Sequence, residues 1–322
     1  MSIPELRNVP VLVTGGAGFI GSHLVDALLE RGAKVRVLDN FLTGKRENLA
    51  HCIGQIDLIE GDLRDLDACH KACAGITYLF HEAALGSVPR SMKDPATTFA
   101  VNVSGTANVF TVARDASIQK VVYASSSSVY GDSETLPKRE GEEGRPLSPY
   151  ALSKVENERL AELFHRVFGM RVVGLRYFNV YGPRQDPLGP YAAVVPRFIA
   201  ALRRGEAPVI YGDGEQSRDF TFVADVVRAN LLALGAPAEA FGFAMNIAPG
   251  SRTTVNRLAA GLAMALGRSI APAHEAPRPG DIADSQADAA RAAQLLGWTA
   301  GTTLEEGLAK TAVSSWLPHA SP

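Results

Sequence analysis

TGGAGFIG, Thr14–Gly21, is the stretch that decides the fold. Before it, Val9, Val11, Leu12 and Val13 form a short apolar run of the kind that becomes a buried strand. After it, a helical pattern runs from about Phe19 to Arg31. Strand, tight turn and helix in that order make a phosphate cradle, because glycine lets the backbone turn sharply and approach an anion while the following helix start offers unpaired N–H groups. The glycines at 15, 18 and 21 read G-x-x-G-x-x-G, a variant of the more frequent G-x-G-x-x-G. A second predicted strand, Lys34–Leu38, ends in Asp39, at about the distance where an acidic side chain meets the adenosine ribose hydroxyls of a dinucleotide. A carboxylate there repels a 2′-phosphate, so the expected cofactor is NAD and not NADP.

Strand-like segments recur near Asp57–Glu60, Tyr78–His81, Lys120–Ser125 and Val172–Arg176, with helix patterns near Thr97–Ala116 and Tyr150–Phe168. This alternation predicts an α/β protein with a Rossmann-like, doubly wound parallel sheet. The period changes after Arg176. Residues from Asn179 to Arg218 are rich in Pro, Gly and Tyr and read as loop-rich substrate-binding structure, before a helix from about Val223 to Leu234 and a strand at Phe243–Ile247 return to the sheet. The expected division is therefore 1–178 with 224–250 for the cofactor, and 179–223 with 251–322 as a smaller, discontinuous α/β substrate-binding domain. Two amphipathic helices are expected to close the chain, the last opened by the capping-box pattern Thr303-x-x-Glu306.

At 322 residues with 46% hydrophobic content, the chain can fill a sizeable core. Its net charge of −2 and scattered Lys and Arg give no nucleic-acid footprint. Cys52, Cys69 and Cys73 are odd in number and read as reduced thiols, metal-ligand spacing is absent, and no apolar stretch reaches membrane-spanning length. A cytoplasmic enzyme is the expectation.

The chemistry is read from Ser125–Ser128 and Tyr150-x-x-x-Lys154. Four residues apart on a helix, Tyr150 and Lys154 share one face, so the ammonium is expected to lower the phenol pKa and to hold the nicotinamide ribose. Ser126, at a strand end facing the crevice, is placed to hydrogen-bond the reacting oxygen.

At this point the chain resembles the extended short-chain dehydrogenase/reductases that act on nucleotide sugars. The resemblance includes GDLRD at Gly61–Asp65, HEAA at His81–Ala84, SPYALSK at Ser148–Lys154, LRYFNVYGPRQ at Leu175–Gln185 and SRDFTFVADV at Ser217–Val226. It implies that Gly15, Gly18, Phe19, Ile20, Asp39 and Asn40 hold the cofactor, that Asp62 and Leu63 flank the adenine, and that Phe80 and Ala83 line the pyrophosphate and ribose. Asn102 and Tyr177 are expected to help seat it. Asn179, Val194, Tyr211, Arg218, Arg278 and Asp281 are expected to hold a UDP group, with Ser126 and Ser127 at the sugar.

Within the family the chain is most similar to UDP-N-acetylglucosamine 4-epimerases, through ALGSVPRSMKDP at Ala84–Pro95 and DPLGPYAAVVPRF at Asp186–Phe198. Gly86, Ala193 and Ser285 stand where an epimerase restricted to plain hexoses carries bulkier residues, leaving room for an N-acetyl group beside Ser87. The expected activity is C4 inversion of UDP-GlcNAc and UDP-GalNAc through a 4-keto intermediate, with UDP-glucose and UDP-galactose as further substrates. Ser127 and Ser128 occupy the places where a 4,6-dehydratase needs an Asp–Glu pair, which argues against dehydration. Two alternatives stand beside this reading: a UDP-glucuronic acid 4-epimerase, with Arg90, Ser87 or Arg197 meeting the carboxylate, and a non-catalytic NAD-binding regulator. The resemblance also implies a homodimer through a four-helix bundle, for which Val109, Phe110, Val155, Leu163 and Phe164 supply apolar side chains.

Overall fold

A computed structural model describes residues 2–187, 192–277 and 284–314. The first half alternates as the sequence predicts: β1 (Pro10–Thr14), α1 (Phe19–Glu30), β2 (Lys34–Asp39), β3 (Asp57–Glu60), α2 (Leu66–Cys73), β4 (Tyr78–His81), α3 (Val88–Lys93), α4 (Pro95–Phe99), α5 (Gly105–Asp115), β5 (Lys120–Ser126), α6 (Pro149–Phe168) and β6 (Val172–Tyr177). Past β6 come β7 (Val180–Tyr181), α7 (Val194–Arg203), β8 (Val209–Tyr211), β9 (Ser217–Arg218), β10 (Thr221–Phe222), α8 (Val223–Ala233), β11 (Ala244–Ile247), β12 (Thr253–Thr254), α9 (Val255–Ala265), β13 (Ala273–Glu275), α10 (Ala290–Leu296) and α11 (Leu304–Ala312).

Seven strands form one parallel sheet in the order β11-β6-β5-β4-β1-β2-β3. The winding reverses between β1 and β4, and in an open α/β sheet ligands bind beyond the carboxyl ends of the strands at such a reversal. Both faces of the sheet are covered. Along β1, Val11 and Val13 join one apolar cluster with Leu24, Leu28 and Val226, while Leu12 joins the opposite one with Phe110, Tyr123 and Phe164. That is the period-two alternation of a strand buried on both sides.

A third apolar cluster, with Tyr181, Phe198, Leu202, Leu258, Leu262 and Leu308, lies among the later elements. Three two-stranded ladders accompany it among the described residues: β7 with β10, β8 with β13 and β9 with β12. The stretch read as loop-rich contains α7, whose Val195, Phe198, Ile199 and Leu202 are buried. Among the described residues three helices, not two, follow β11. At and just after α10, Ala292, Leu296 and Trp298 pack in the main-sheet cluster, and Trp298 Nε1 donates to the Asp225 carbonyl at 2.9 Å.

α4 runs into α5 through a π-helical turn, Ala100–Ser104. α6 begins with Ser148 accepting from the Ala151 N–H and Pro149 in its first turn, and ends at Gly169 in the left-handed region. Of the residues expected to face a second subunit, Val109, Phe110 and Phe164 are buried in the core, and Val155 packs against Val129, Tyr130 and Phe178. Only Leu163 is turned outward, with Leu152, Val167 and Phe168 beside it on the same helix.

Candidate active site

A cleft of about 500 Å³ lies beyond the carboxyl ends of β1, β2, β4 and β5. Gly15, Gly18, Phe19 and Ile20 form one wall. Gly15 has φ +71°, and an added Cβ would come within 2.7 Å of the Ala83 backbone. A side chain there would both strain the turn and fill the space against Ala83, so the cradle is built for close approach of a phosphate.

Asp39 ends β2 at the cleft. Its carboxylate accepts from the Ala17 N–H at 2.9 Å and the Phe41 N–H at 2.8 Å, which ties the acid to the glycine turn, and burial pushes its pKa up. Asn40 donates to Asp62 at 2.8 Å, and Arg64 grips the same carboxylate with two nitrogens, holding it far below the usual range. Asp39, Asn40, Asp62 and Leu63 thus lie together at one end of the cleft wall. These features fit a dinucleotide: a glycine cradle for the pyrophosphate and acceptors for the ribose hydroxyls.

Two expected cofactor residues stand elsewhere. The Phe80 ring is fully buried in the sheet core with Val11 and Val13, because alternation along β4 turns it inward, while Ala83, past the strand, reaches the wall. Asn102, buried in the π-turn, is not on the wall. It accepts from the Leu85 N–H at 2.8 Å and donates to the Leu85 carbonyl at 3.3 Å and to Ser153 Oγ at 3.0 Å. Its work is to fasten the wall residue Leu85 to α6.

Ser126, Tyr150, Lys154 and Tyr177 meet at the other part of the cleft, with Ser127 beside them. Lys154 Nζ donates to the Ala124 carbonyl at 2.8 Å and lies 6.0 Å from the Tyr150 ring centroid. The expected lowering of the phenol pKa by Lys154 is not what the geometry produces. Burial pushes Tyr150 up, and the one opposing influence is the neighbouring Ser126 hydroxyl, which pulls it down. The ammonium itself is pulled down to about 8 by burial, against the raising pull of Glu82 and Glu158.

Sequence reasoning missed two residues on β4 and just beyond it. His81 is buried between Thr14 Oγ1 at 2.7 Å and Thr106 Oγ1 at 2.9 Å. Thr106 gives its own proton to the Asn102 carbonyl, so it accepts from His81 Nε2–H, and Nδ1 accepts from Thr14. Burial drives this neutral imidazole down to about 3. Glu82 lines the cleft and accepts from Tyr177 at 2.8 Å, and burial raises it to about 7. HEAA carried the signal, a charged residue at the end of an apolar strand, but its surroundings are set by residues far away in sequence.

A second cavity of about 150 Å³ is lined by Asn179, Val194, Arg197, Tyr211 and Arg218 among others. Asn179, with φ +30°, lines both spaces. Arg218 Nη1 donates to the Ser217 carbonyl at 2.8 Å, and the Ser285 N–H donates to the same carbonyl at 3.0 Å. Gly86 is on the main cleft wall, Ala193 is the N-cap of α7, and Ser87 caps α3 by accepting from the Arg90 N–H at 3.2 Å. Arg278 and Asp281 lie outside the described residues. Asp26, His51 and Cys52 each bring a ligand atom within 4.8 Å of the others. The Asp26 oxygens already serve His51 and Arg184 at 2.7 Å each, and burial raises the Cys52 thiol, so the trio is ill-suited to a cation.

A profile of the NAD dependent epimerase/dehydratase family matches residues 11–248. A UDP-glucose 4-epimerase of Mycolicibacterium smegmatis is 41% identical over 308 residues, covering 93% of this chain and 96% of that protein. Among solved structures, the UDP-N-acetylglucosamine 4-epimerase of Methanobrevibacter ruminantium M1, in complex with UDP-N-acetylmuramic acid, superposes with TM-score 0.90 at 41% identity, over 95% of this chain and 98% of that one. The UDP-glucose 4-epimerase of Thermus thermophilus, in complex with NAD, gives 0.85 at 36% identity, over 94% and 98%. With the glycine cradle, the Asp39 acceptor and the Ser126–Tyr150–Lys154 group assembled on a doubly wound sheet, the chain belongs to the NAD dependent epimerase/dehydratase family.

Proposed function

We propose that this NAD-dependent UDP-sugar 4-epimerase interconverts UDP-GlcNAc and UDP-GalNAc, and turns over UDP-glucose and UDP-galactose as lesser substrates. The observation that carries the N-acetyl preference is Gly86. It stands on the cleft wall with Ser126, Ser127 and Tyr150, and a Cβ built on it would meet nothing within 4 Å. Small residues at Ala193 and Ser285, which the resemblance sets near the sugar, agree with the same reading. Arg218, Tyr211 and Asn179 around the second cavity suit a uridine diphosphate: an arginine for phosphate, an aromatic face for the base and an amide at the junction with the main cleft.

Bound NAD supplies a two-electron acceptor, and afterwards the donor, at the sugar's C4. Tyr150 takes the proton of the 4-hydroxyl as that carbon is oxidised and returns it once the 4-keto sugar has turned its other face to the cofactor, so C4 inverts with no net redox change. Ser126, whose hydroxyl pulls the pKa of the transferring phenol down, steadies the oxygen through both halves. Lys154, anchored to the Ala124 carbonyl, uses its remaining N–H groups to hold the cofactor ribose.

We also propose that the outward face of α6, with Leu163, Val167 and Phe168 at 40%, 57% and 46% exposure, packs against its copy in a homodimer. The function is tested by incubating the purified protein separately with UDP-GlcNAc, UDP-glucose and UDP-glucuronic acid and resolving the products by chromatography. Fastest formation of UDP-GalNAc is the expected outcome. Reaction of UDP-glucuronic acid alone would transfer the pocket to a carboxylate, and no reaction with any of them, even with NAD added, would overturn the proposal.

A further inference from the structure

We propose that Glu82 is the counter-charge of the nicotinamide ring, a positioning residue whose ionisation sets the balance between oxidised and reduced cofactor on the protein. This rests on NAD as the resident cofactor and not on which UDP-sugar is used.

The cleft has two distinguishable ends. Asp39, Asn40 and Asp62 mark the ribose-binding end, at β2 and just beyond β3. Tyr150, Ser126 and Lys154 mark the end where oxidation takes place, and Glu82 belongs to this group: it senses the Lys154 charge and is bonded to Tyr177. A carboxylate beside the pyrophosphate would repel it. At the catalytic end it would face the ring that gains and loses a positive charge in each half of the cycle.

The hydrogen bonds around Glu82 fix its role as an acceptor. Asn230 Nδ2 donates to Tyr177 Oη at 2.8 Å, which directs the phenol proton onto Glu82 Oε1. The second carboxylate oxygen makes no hydrogen bond among the described residues. The charged and titratable groups facing it are Lys154 from α6 and Tyr177 from β6. His81, its neighbour on β4, is turned away to Thr14 and Thr106 and stays neutral. α1, whose N-terminus opens on the same cleft, brings no charged side chain in its first turn.

A carboxyl that titrates near neutrality in this position responds to the ring beside it. With the ring oxidised and cationic, Glu82 is ionised and the pair is attractive. With the ring reduced and neutral, Lys154 alone favours the carboxylate, and Glu82 takes up a proton from solvent more readily. The electron pair and the hydrogen stay with the sugar and cofactor, and Glu82 exchanges only a proton with water. The consequence is that the oxidised cofactor is favoured, so a 4-keto sugar is reduced again before it escapes.

The test is potentiometry of the holoenzyme, reading the bound cofactor's absorbance against mediators over a range of pH. In Glu82→Gln, which keeps the shape and the acceptor for Tyr177, the equilibrium shifts about tenfold toward the reduced form, which is ~30 mV for a two-electron couple. The unsubstituted protein shows a steeper pH slope around neutrality, from the extra proton taken up, and Glu82→Gln does not. In Tyr177→Phe, which keeps the carboxylate but removes the donor that favours its charge, the steep region moves to higher pH. Equal potentials and slopes in all three proteins would overturn the proposal. So would a steep region unmoved in Tyr177→Phe, and neither result would touch the epimerase assignment, which is read from product formation.

Discussion

Tyr150 and Lys154 are one helical turn apart, yet the lysine does not by itself prepare the tyrosine. Burial pushes the phenol up, and the Ser126 hydroxyl is the neighbour that pulls it back down. Tyr150→Phe keeps the packing and removes the hydroxyl proposed to carry the proton. Turnover is expected to fall at least a thousandfold, on the order of the loss when a group essential to proton transfer is removed, while UDP binding measured by calorimetry stays within about twofold. Normal turnover would remove Tyr150 from the reaction. Ser285→Tyr, at the Ser217 carbonyl beside Arg218, is expected to slow UDP-GlcNAc about tenfold more than UDP-glucose, since pocket volume discriminates by roughly 1–3 kcal/mol. Equal effects on both sugars would end the N-acetyl argument.

At the scale of elements, the cleft depends on how segments are fastened to one another. The π-turn Ala100–Ser104 presents Asn102 to both backbone groups of Leu85 and to Ser153, one residue before Lys154. Asn102→Ala would leave those buried groups unpaired, costing ~1–3 kcal/mol. The expected result is a Tm lower by several degrees and weaker NAD retention through desalting; unchanged retention would show that the wall holds without it. Behind β5, Ser125 donates to Glu158, and Arg176 binds Glu158, Glu143 and Tyr130. This buried network ties β5, α6 and β6 together next to Ser126. The capping box of α11, where Thr303 and Glu306 each accept from the other's N–H, offers a control: Thr303→Ala is expected to cost ~1 kcal/mol of stability with no change in activity.

Across the whole molecule, a neutral imidazole locked between β1 and α5 links the fold to acid. His81 is held near 3 in the folded state against 6.5 for the free side chain, so the unfolded chain binds the additional proton between those values. Stability is therefore present above pH 6.5 and is lost as pH falls toward 3, by roughly 4–5 kcal/mol for this group alone. Denaturant titrations at pH 7 and pH 5 should show the loss, and His81→Gln should flatten that slope; an equal slope in the variant would place acid sensitivity elsewhere. The dimer proposal belongs at this scale too. Leu163→Glu combined with Phe168→Glu is expected to give a folded monomer by sedimentation, and an unchanged mass would shift the interface to another surface.

Much was legible in local pattern. The glycine turn, Asp39 at a strand end, the alternating strands and the Tyr150–Lys154 spacing all depend on residues close together in sequence, where steric rules and helix or strand periodicity act directly. The capping box at Thr303 is of the same kind. The rest depends on distant residues sharing one low-dielectric space. Phe80 was placed in the core by strand alternation within a sheet covered on both faces, and Asn102 was set behind the cleft wall, bonded to Leu85 and Ser153, by the meeting of its π-turn with α6. Trp298 was drawn into the main-sheet core by α8, and the pKa values of Tyr150, His81 and Glu82 were set by burial among partners up to ninety-five residues away. Periodicity specifies which face a side chain takes, whereas desolvation and long-range hydrogen bonds depend on what the completed fold brings to that face.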